Sequence, residues 1–151
     1  MKIYIRNTQS ILGFATRKSD IAAALEEDTR ELIEHLIKLW IFPNAEDCNH
    51  WKQEVYNFLY RVPRLKGSNK FPSKKFILHN TIDVNADNIS ALLRIVISDY
   101  TNRYEQRRST YSTMEERILL YFDWLAEELS TSGKVARADV YAKLAELEFG
   151  N

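Results

Sequence analysis

The chain has 151 residues and carries 21 Lys and Arg against 21 Asp and Glu, so its formal net charge is zero. This balance excludes a protein that meets nucleic acid with its whole surface, and it leaves room for a local basic patch. Apolar residues form 45% of the chain and charged residues 28%, which is typical of a soluble globular protein and argues against global disorder.

The scarcity of turn-forming residues favours helices. The chain has four Gly and three Pro. These are too few for an all-β architecture, which needs a turn about every eight to twelve residues. The single cysteine excludes an internal disulfide. Residues 1–10 show neither the apolar run nor the cleavage site of a signal peptide. We therefore expect a cytosolic protein.

Two helices are predicted in the first half of the chain. Residues 19–42 place apolar side chains at helical spacing after Ser19, a candidate N-cap, and Pro43 ends the helix. Residues 45–62 form a second amphipathic helix, and the short connection predicts an antiparallel hairpin. Residues 1–18 are interpreted as a short strand or an extended arm.

The stretch that follows the second helix has a less regular pattern. Residues 63–73 contain two Pro and one Gly and predict a loop. Residues 75–84 fit two structures. They form either a helix that opens at Ser73 or two short strands that turn at His79 and Asn80. Their β-branched residues keep the two strands as an alternative to the helix.

Three further helices are predicted in the second half. Residues 87–108 carry a full-length apolar stripe, with Asp87 as a candidate N-cap and a basic last turn. Residues 112–130 open on a capping-box pattern that begins at Ser112. A last helix is predicted at about residues 136–148.

These elements predict a mainly α protein, a single compact bundle-like domain of about five helices over residues 1–151. Residues 2–6 and 75–84 leave room for a small two- or three-stranded β element. No internal repeat, low-complexity tract or shift of composition indicates a second domain.

Asp47, Cys48 and His50 are close together in the sequence, and His35 on the preceding helix approaches them if the hairpin closes. Zinc accepts this mixture of ligands. The usual spacings of zinc and di-iron sites are absent, however, and the alternative is a small buried Cys48 with His50 at a helix start. We predict no metal and no cofactor.

A catalytic centre is a second interpretation of the same region. Glu31 lies one turn before His35 and forms with it a candidate acid–base pair, and Cys48 beside a histidine is a candidate nucleophile. No phosphate loop, nucleophile elbow or zinc-protease signature is present. We interpret Glu31 and His35 as a solvated helical pair and predict that the protein is not an enzyme.

Residues 61–75, here called the basic segment, belong to a stretch between Val55 and Ile82 that contains no acid. Six basic residues lie in it: Arg61, Arg64, Lys66, Lys70, Lys74 and Lys75. Four aromatic residues are interleaved with them: Tyr56, Tyr60, Phe71 and Phe76. This pattern fits an acidic protein partner, phosphates with stacked bases, or a solvated loop. Three arginines extend the patch if the fold brings them close: Arg103, Arg107 and Arg108.

Residues 118–147 superficially resemble a helix-turn-helix DNA reader, because a short Gly-containing turn joins two predicted helices. Lys134 and Arg137 are the candidate base-reading donors. Residues 115–148 nevertheless hold eight acids against four bases, so phosphates would be repelled. We interpret the pair as a structural helical hairpin.

Residues 32–38, with the sequence LIEHLIK, are followed by Pro43 and then by Trp51. This pattern resembles an all-helical bacterial family catalogued as domain of unknown function twenty-nine, in which a similar helix stops at Pro and a Trp opens the next helix. The resemblance covers about residues 32–51. It implies an all-helical fold and a bacterial or phage origin, and it implies no activity and no functional residues.

The leading functional prediction is a small cytosolic, non-enzymatic binding protein that acts through protein–protein contact, such as an adaptor, an inhibitor or an antitoxin-like protein. Its partner surface is predicted in the basic segment. Five acids within residues 26–34 make the neutral chain polar along its length, which also fits self-association. The alternatives are a nucleic-acid binder that uses the basic segment, and an enzyme or metal site around His35, Cys48 and His50.

Overall fold

A computed structural model describes residues 18–61, 86–107 and 111–150 of the chain. Within these residues it contains five helices: α1 (Lys18–Ile41), α2 (Cys48–Arg61), α3 (Ala86–Tyr100), α4 (Tyr111–Thr131) and α5 (Arg137–Glu146). The prediction of a mainly α, bundle-like protein is confirmed. The predicted arm, loop and β element lie outside the described residues.

Helix α1 is the central element of the bundle. It packs against α2, α3 and α4, whereas α5 packs against α2. The contact between α1 and α2 is the most extensive, and the short link 42–47 joins them through backbone hydrogen bonds from Ala45 to Phe42 and from Cys48 to Ala45. Pro43 follows the end of α1, as the sequence predicts.

The last six residues of α1 are buried on all sides. Every residue from 36 to 42 has an exposed fraction below 10%. The apolar spacing predicts one buried stripe, but the run LIKLWIF is apolar at nearly every position, and a helix that is apolar all round lies inside a core. Three helices can therefore pack around α1 instead of against one face of it.

Two distant segments satisfy the carbonyl groups at the end of α1. The backbone N–H of Gly150 donates to the Leu39 oxygen at 3.0 Å, and the backbone N–H of Arg107 donates to the Ile41 oxygen at 2.6 Å. The last carbonyls of a helix have no partner within the helix, and burial without a donor costs about 1–3 kcal/mol each. These bonds therefore connect the end of α1 to the chain beyond α3 and α5.

An aromatic cluster covers the same end of α1. The ring of Trp51 lies edge-on to those of Tyr100 and Tyr104, at centroid distances of 5.6 and 5.9 Å. Phe42 contacts both tyrosines. The buried ammonium of Lys38 lies 5.1 Å from the Tyr100 centroid and 3.4 Å from a Glu34 oxygen, so a cation–π contact and an ion pair replace its water.

Helix α3 ends earlier than its sequence pattern predicts. The predicted helix reaches residue 108, but α3 ends at Tyr100 and turns follow through Tyr104. The Thr101 hydroxyl donates to the Ile97 carbonyl, and the Arg107 N–H is engaged at the end of α1. The basic residues predicted for the last turn therefore lie outside α3: Arg103 lies in the turn after Tyr100, Arg107 reaches the end of α1, and Arg108 lies outside the described residues.

The three predicted N-caps also shift. Helix α1 begins at Lys18, α3 at Ala86 and α4 at Tyr111, so Ser19, Asp87 and Ser112 each lie one residue inside a helix instead of before it. Helix α5 follows Ala136, whose side chain forms no capping hydrogen bond. Capping patterns thus locate the beginnings of these helices only to within a residue or so.

Helix α5 ends in a Schellman motif. The Phe149 N–H donates to the Leu144 carbonyl, and the Glu148 N–H donates to that of Ala145. Phe149 and Leu144 are both fully buried, which supplies the apolar contact of the motif. Glu148 occupies the left-handed position at φ 67° that usually holds glycine. The motif turns Phe149 onto Trp40, 5.8 Å between ring centroids.

In the part of the chain that the structure describes, none of the helices combines the length and the apolar character needed to cross a membrane.

Replacing Gly150 by Ala is expected to destabilise the fold. Its φ of +78° disfavours any side chain, and an added Cβ would lie 2.9 Å from Lys52 Cε and 3.3 Å from Leu39 Cδ2. We expect the free energy of unfolding in urea to fall by roughly 1–3 kcal/mol. Gly133→Ala is the control, since Gly133 also has a positive φ but lies in the turn after α4. An equal loss in both variants would contradict a special role for Gly150.

Glu148 should retain its left-handed conformation because its carboxylate pairs with two arginines. One oxygen lies 3.1 Å from Arg107 Nη2 and the other 3.3 Å from Arg117 Nη2. We expect Glu148→Gln to lower the unfolding free energy by about 0.5–1 kcal/mol, because the ion pairs are lost. Glu148→Gly loses the same pairs but should be about 1 kcal/mol more stable than the Gln variant, because glycine adopts a positive φ without strain. Urea unfolding measures both. If about 0.5 M salt leaves the deficit of the Gln variant unchanged, the pairing explanation is wrong.

Candidate functional site

Arg61, the first residue of the basic segment, is neutralised inside the molecule. It ends α2, and its Nη1 lies 2.5 Å from a Glu31 oxygen of α1, while Nη2 lies 2.9 Å from a Glu54 oxygen of α2. The guanidinium is half-buried between the two carboxylates. Arg61 therefore connects α1 to α2, and two intramolecular partners already balance its charge.

The other predicted partner-binding residues lie outside the described residues: Arg64, Lys66, Lys70, Lys74 and Lys75. Their arrangement on one face stays a prediction. Of the four interleaved aromatic residues, the structure describes Tyr56 and Tyr60 on α2. Tyr56 is half-buried, whereas Tyr60 is 75% exposed. The structure thus places an exposed aromatic side chain directly before the basic segment.

Charge is divided unevenly along the chain. The described ranges 18–61, 86–107 and 111–150 together hold 20 Asp and Glu against 12 Lys and Arg. The remaining residues hold one acid and nine bases. The described helical body therefore has eight more acids than bases although the whole chain is neutral, and this excess disfavours close contact of its surface with polyanions.

The predicted acid–base pair of Glu31 and His35 is not formed by side chains. The Glu31 carboxylate contacts Arg61, and His35 Nδ1 lies 2.7 Å from the Glu31 backbone carbonyl instead. Desolvation by burial lowers the pKa of His35 more than the carbonyl hydrogen bond raises it. The interpretation of a solvated helical pair is wrong because Arg61 attracts the carboxylate more strongly than a neutral imidazole.

The predicted metal donors have separate partners. The Cys48 thiol is buried and donates to the carbonyls of Phe42 and Pro43 at 3.3 and 3.4 Å, and burial raises its pKa. Asp47 accepts a hydrogen bond from the Tyr104 hydroxyl, whereas His50 is exposed. Among the described residues, no three His, Cys, Asp or Glu side chains are placed to share one metal ion.

The arginines predicted to extend the basic patch also pair with carboxylates. Arg103 lies 3.7 Å from Asp47, and its guanidinium covers the Tyr104 ring at 5.3 Å. Arg107 pairs with Glu148 and stacks on Trp40 at 3.9 Å from the ring centroid. Both guanidinium groups are therefore engaged in contacts around the end of α1. Arg108 lies outside the described residues.

A polar cleft of about 660 Å³ opens beside the end of α1. Eight residues line it: Pro43, Asn44, Glu105, Gln106, Arg107, Ala145, Glu148 and Gly150. Sequence patterns did not indicate this cleft, because its walls come from three distant parts of the chain. Arg107 and Glu148, two of its charged residues, already bind each other.

The two helices with a superficial likeness to a DNA reader do not present their predicted donors alike. Lys134 lies exposed in the turn before α5, whereas Arg137 donates from Nη1 to the Gln53 side-chain oxygen at 3.0 Å. Tyr141 of α5 also contacts this oxygen, at 3.4 Å. Helix α5 is thereby held on α2, so the interpretation as a hairpin with α4 misses its main contact.

No protein-family model, curated protein or solved structure matches this chain. The resemblance to domain of unknown function twenty-nine therefore stays a prediction from residues 32–51.

The half-buried imidazole of His35 should make the fold less stable in mild acid. Because the folded state lowers the pKa below 6.5, the unfolded chain binds the proton more readily, and stability falls as pH drops through 6.5 toward the folded pKa. We expect thermal unfolding between about pH 7.5 and 5 to show a shallower pH dependence for His35→Gln than for the wild type.

His50→Gln is the matched control, because His50 is exposed at the start of α2. It should retain the pH dependence of the wild type. Equal slopes for His35→Gln and the wild type would show that His35 does not carry the effect.

Proposed function

We propose that this chain is a small cytosolic, non-enzymatic binding protein that acts by contact with an acidic surface of another protein. The basic segment supplies the contact, and the helical body is its scaffold. The residues proposed to meet the partner are Arg64, Lys66, Lys70, Lys74 and Lys75. Arg61, which was predicted with them, pairs with Glu31 and Glu54 and connects the segment to α2.

The uneven distribution of charge is the observation that carries this proposal. The described helical body has eight more acids than bases, and nine of the 21 basic residues lie outside it. Arg61, Arg103, Arg107 and Arg117 of the body pair with carboxylates of the same molecule. The basic segment is thus the densest source of positive charge for an external partner.

A protein partner fits this distribution better than a nucleic acid does. Nucleic acid is negative along its whole length, so it would meet the acidic body as well as the basic segment. A folded protein can offer an acidic patch to the basic segment and neutral or basic surface to the body. The separate contacts of His35 and of the Cys48 thiol give no support to an enzyme.

Reversing two charges of the basic segment should abolish partner capture. We expect tagged Lys66→Glu/Lys70→Glu to lose the proteins that the wild-type chain retains from its own cells, as read by quantitative mass spectrometry. The control Arg30→Glu/Arg94→Glu changes net charge equally at two exposed positions of α1 and α3 and should retain them. Retention by the Lys66/Lys70 variant would contradict the proposal.

Nucleic acid is tested separately with single- and double-stranded oligonucleotides in a low-salt mobility-shift assay. We expect no shift at micromolar protein. A shift whose affinity falls with salt by a logarithmic slope near one per phosphate contact, and which the Lys66/Lys70 variant loses, would replace the protein partner with a nucleic acid.

A further inference from the structure

We propose that a partly exposed tyrosine patch, whose Tyr60 directly precedes the basic segment in the sequence, is the anchoring site for an acidic, aromatic-containing segment of the partner protein. The tyrosine patch consists of Tyr56 and Tyr60 of α2 with Arg137 and Tyr141 of α5. This inference rests on the proposed function, because it names where the same partner would be held and by what chemistry.

Tyr60 is the most exposed of the large apolar side chains that the structure describes, at 75%. Its ring is perpendicular to that of Tyr56, with 5.5 Å between centroids and an interplanar angle of 89°. The two hydroxyl oxygens are 2.9 Å apart. Because both side chains project from one rigid helix and bond to each other, a partner would order little of this surface on binding.

Arg137 differs from the paired arginines of the body in its contacts. Among the described residues it bonds to the amide oxygen of Gln53 rather than to a carboxylate, and its guanidinium lies 5.9 Å from the Tyr56 ring centroid. A guanidinium has five N–H donors, so donors remain for a carboxylate of the partner. Such charge-assisted bonds are roughly twice as strong as neutral ones.

The Gln53 side chain on α2 holds the two patch residues of α5, Arg137 and Tyr141. Its side-chain oxygen accepts from Arg137 and lies within reach of the Tyr141 hydroxyl, and its nitrogen donates to Asn57 at 2.9 Å. The patch therefore joins two helices whose residues are more than 80 positions apart in sequence. Tyrosine and arginine are also the residue types that most often dominate the binding energy of protein interfaces.

Charge determines which partner fits. Arg137 and Lys134 are both exposed, and the basic segment follows Tyr60 directly in the sequence. In the proposed contact, one carboxylate of the acidic segment binds Arg137, an aromatic residue packs on Tyr60, and further carboxylates meet the basic segment.

The test compares two polymers with the full chain. Poly-L-glutamate offers carboxylates alone, and a random glutamate–tyrosine copolymer also offers aromatic rings. We expect the wild type to bind the copolymer more tightly than poly-L-glutamate. Tyr60→Ala should weaken copolymer binding about tenfold, or about 1.4 kcal/mol, and remove the preference. Arg137→Ala should weaken binding of both polymers, because both offer the carboxylate that Arg137 would bind.

Ile95→Ala is the matched control, since Ile95 is 51% exposed on α3 and should bind like the wild type. Thermal unfolding identifies a variant that fails to fold, and Tyr60→Phe then serves as a milder change that should retain more binding than Tyr60→Ala. The anchor is overturned if the Ala variants match Ile95→Ala, or if the wild type shows no preference or no measurable binding of the copolymer.

The outcomes for the two proposals are distinct. Lys66→Glu/Lys70→Glu should weaken binding of both polymers, because it removes charge common to both contacts. If this variant loses binding while the Ala variants do not, the proposed function stands and the tyrosine patch is not its anchor. If the reversed variant binds poly-L-glutamate like the wild type, the proposed function fails.

Discussion

The buried end of α1 is the constraint on which the rest of the structure depends. A helix that is apolar on all sides must be surrounded, and its terminal carbonyls must receive donors from elsewhere in the chain. Gly150 and Arg107 supply two of these donors, so the turn after α3 and the segment after α5 both meet there. Phe149 and the Arg107 guanidinium then cover Trp40, which seals the core at this end.

The packing at the end of α1 also determines the partners of several arginines. Arginines that approach the end of α1 are held by carboxylates, with Glu148 bridging Arg107 and Arg117 and Asp47 holding Arg103. The Asp47 hydrogen bond also raises the pKa of Tyr104 to about 12. The charges of these three arginines are thus balanced within the molecule, which supports the proposal that recognition uses the basic segment.

Two residues that are catalytic candidates in the sequence, His35 and Cys48, form hydrogen bonds to nearby backbone carbonyls. His35 is bonded to a carbonyl of its own helix, and the Cys48 thiol to two carbonyls of the link that follows α1. The Tyr121 hydroxyl is fully buried and has no hydrogen-bond partner among the residues that the structure describes, and burial raises its pKa. These contacts place the three groups in the packing of the described helices.

The sequence alone determined the mainly helical class, the stop of α1 at Pro43 and most buried positions, because helical periodicity and proline geometry are local properties. It missed the end of α3 and the partners of Arg61, Arg107 and Arg137, which lie 30, 41 and 84 residues away. Such pairings depend on which helix faces meet, and no local pattern encodes that. Only the tertiary structure could decide which arginines bind within the molecule and which tyrosines face outward.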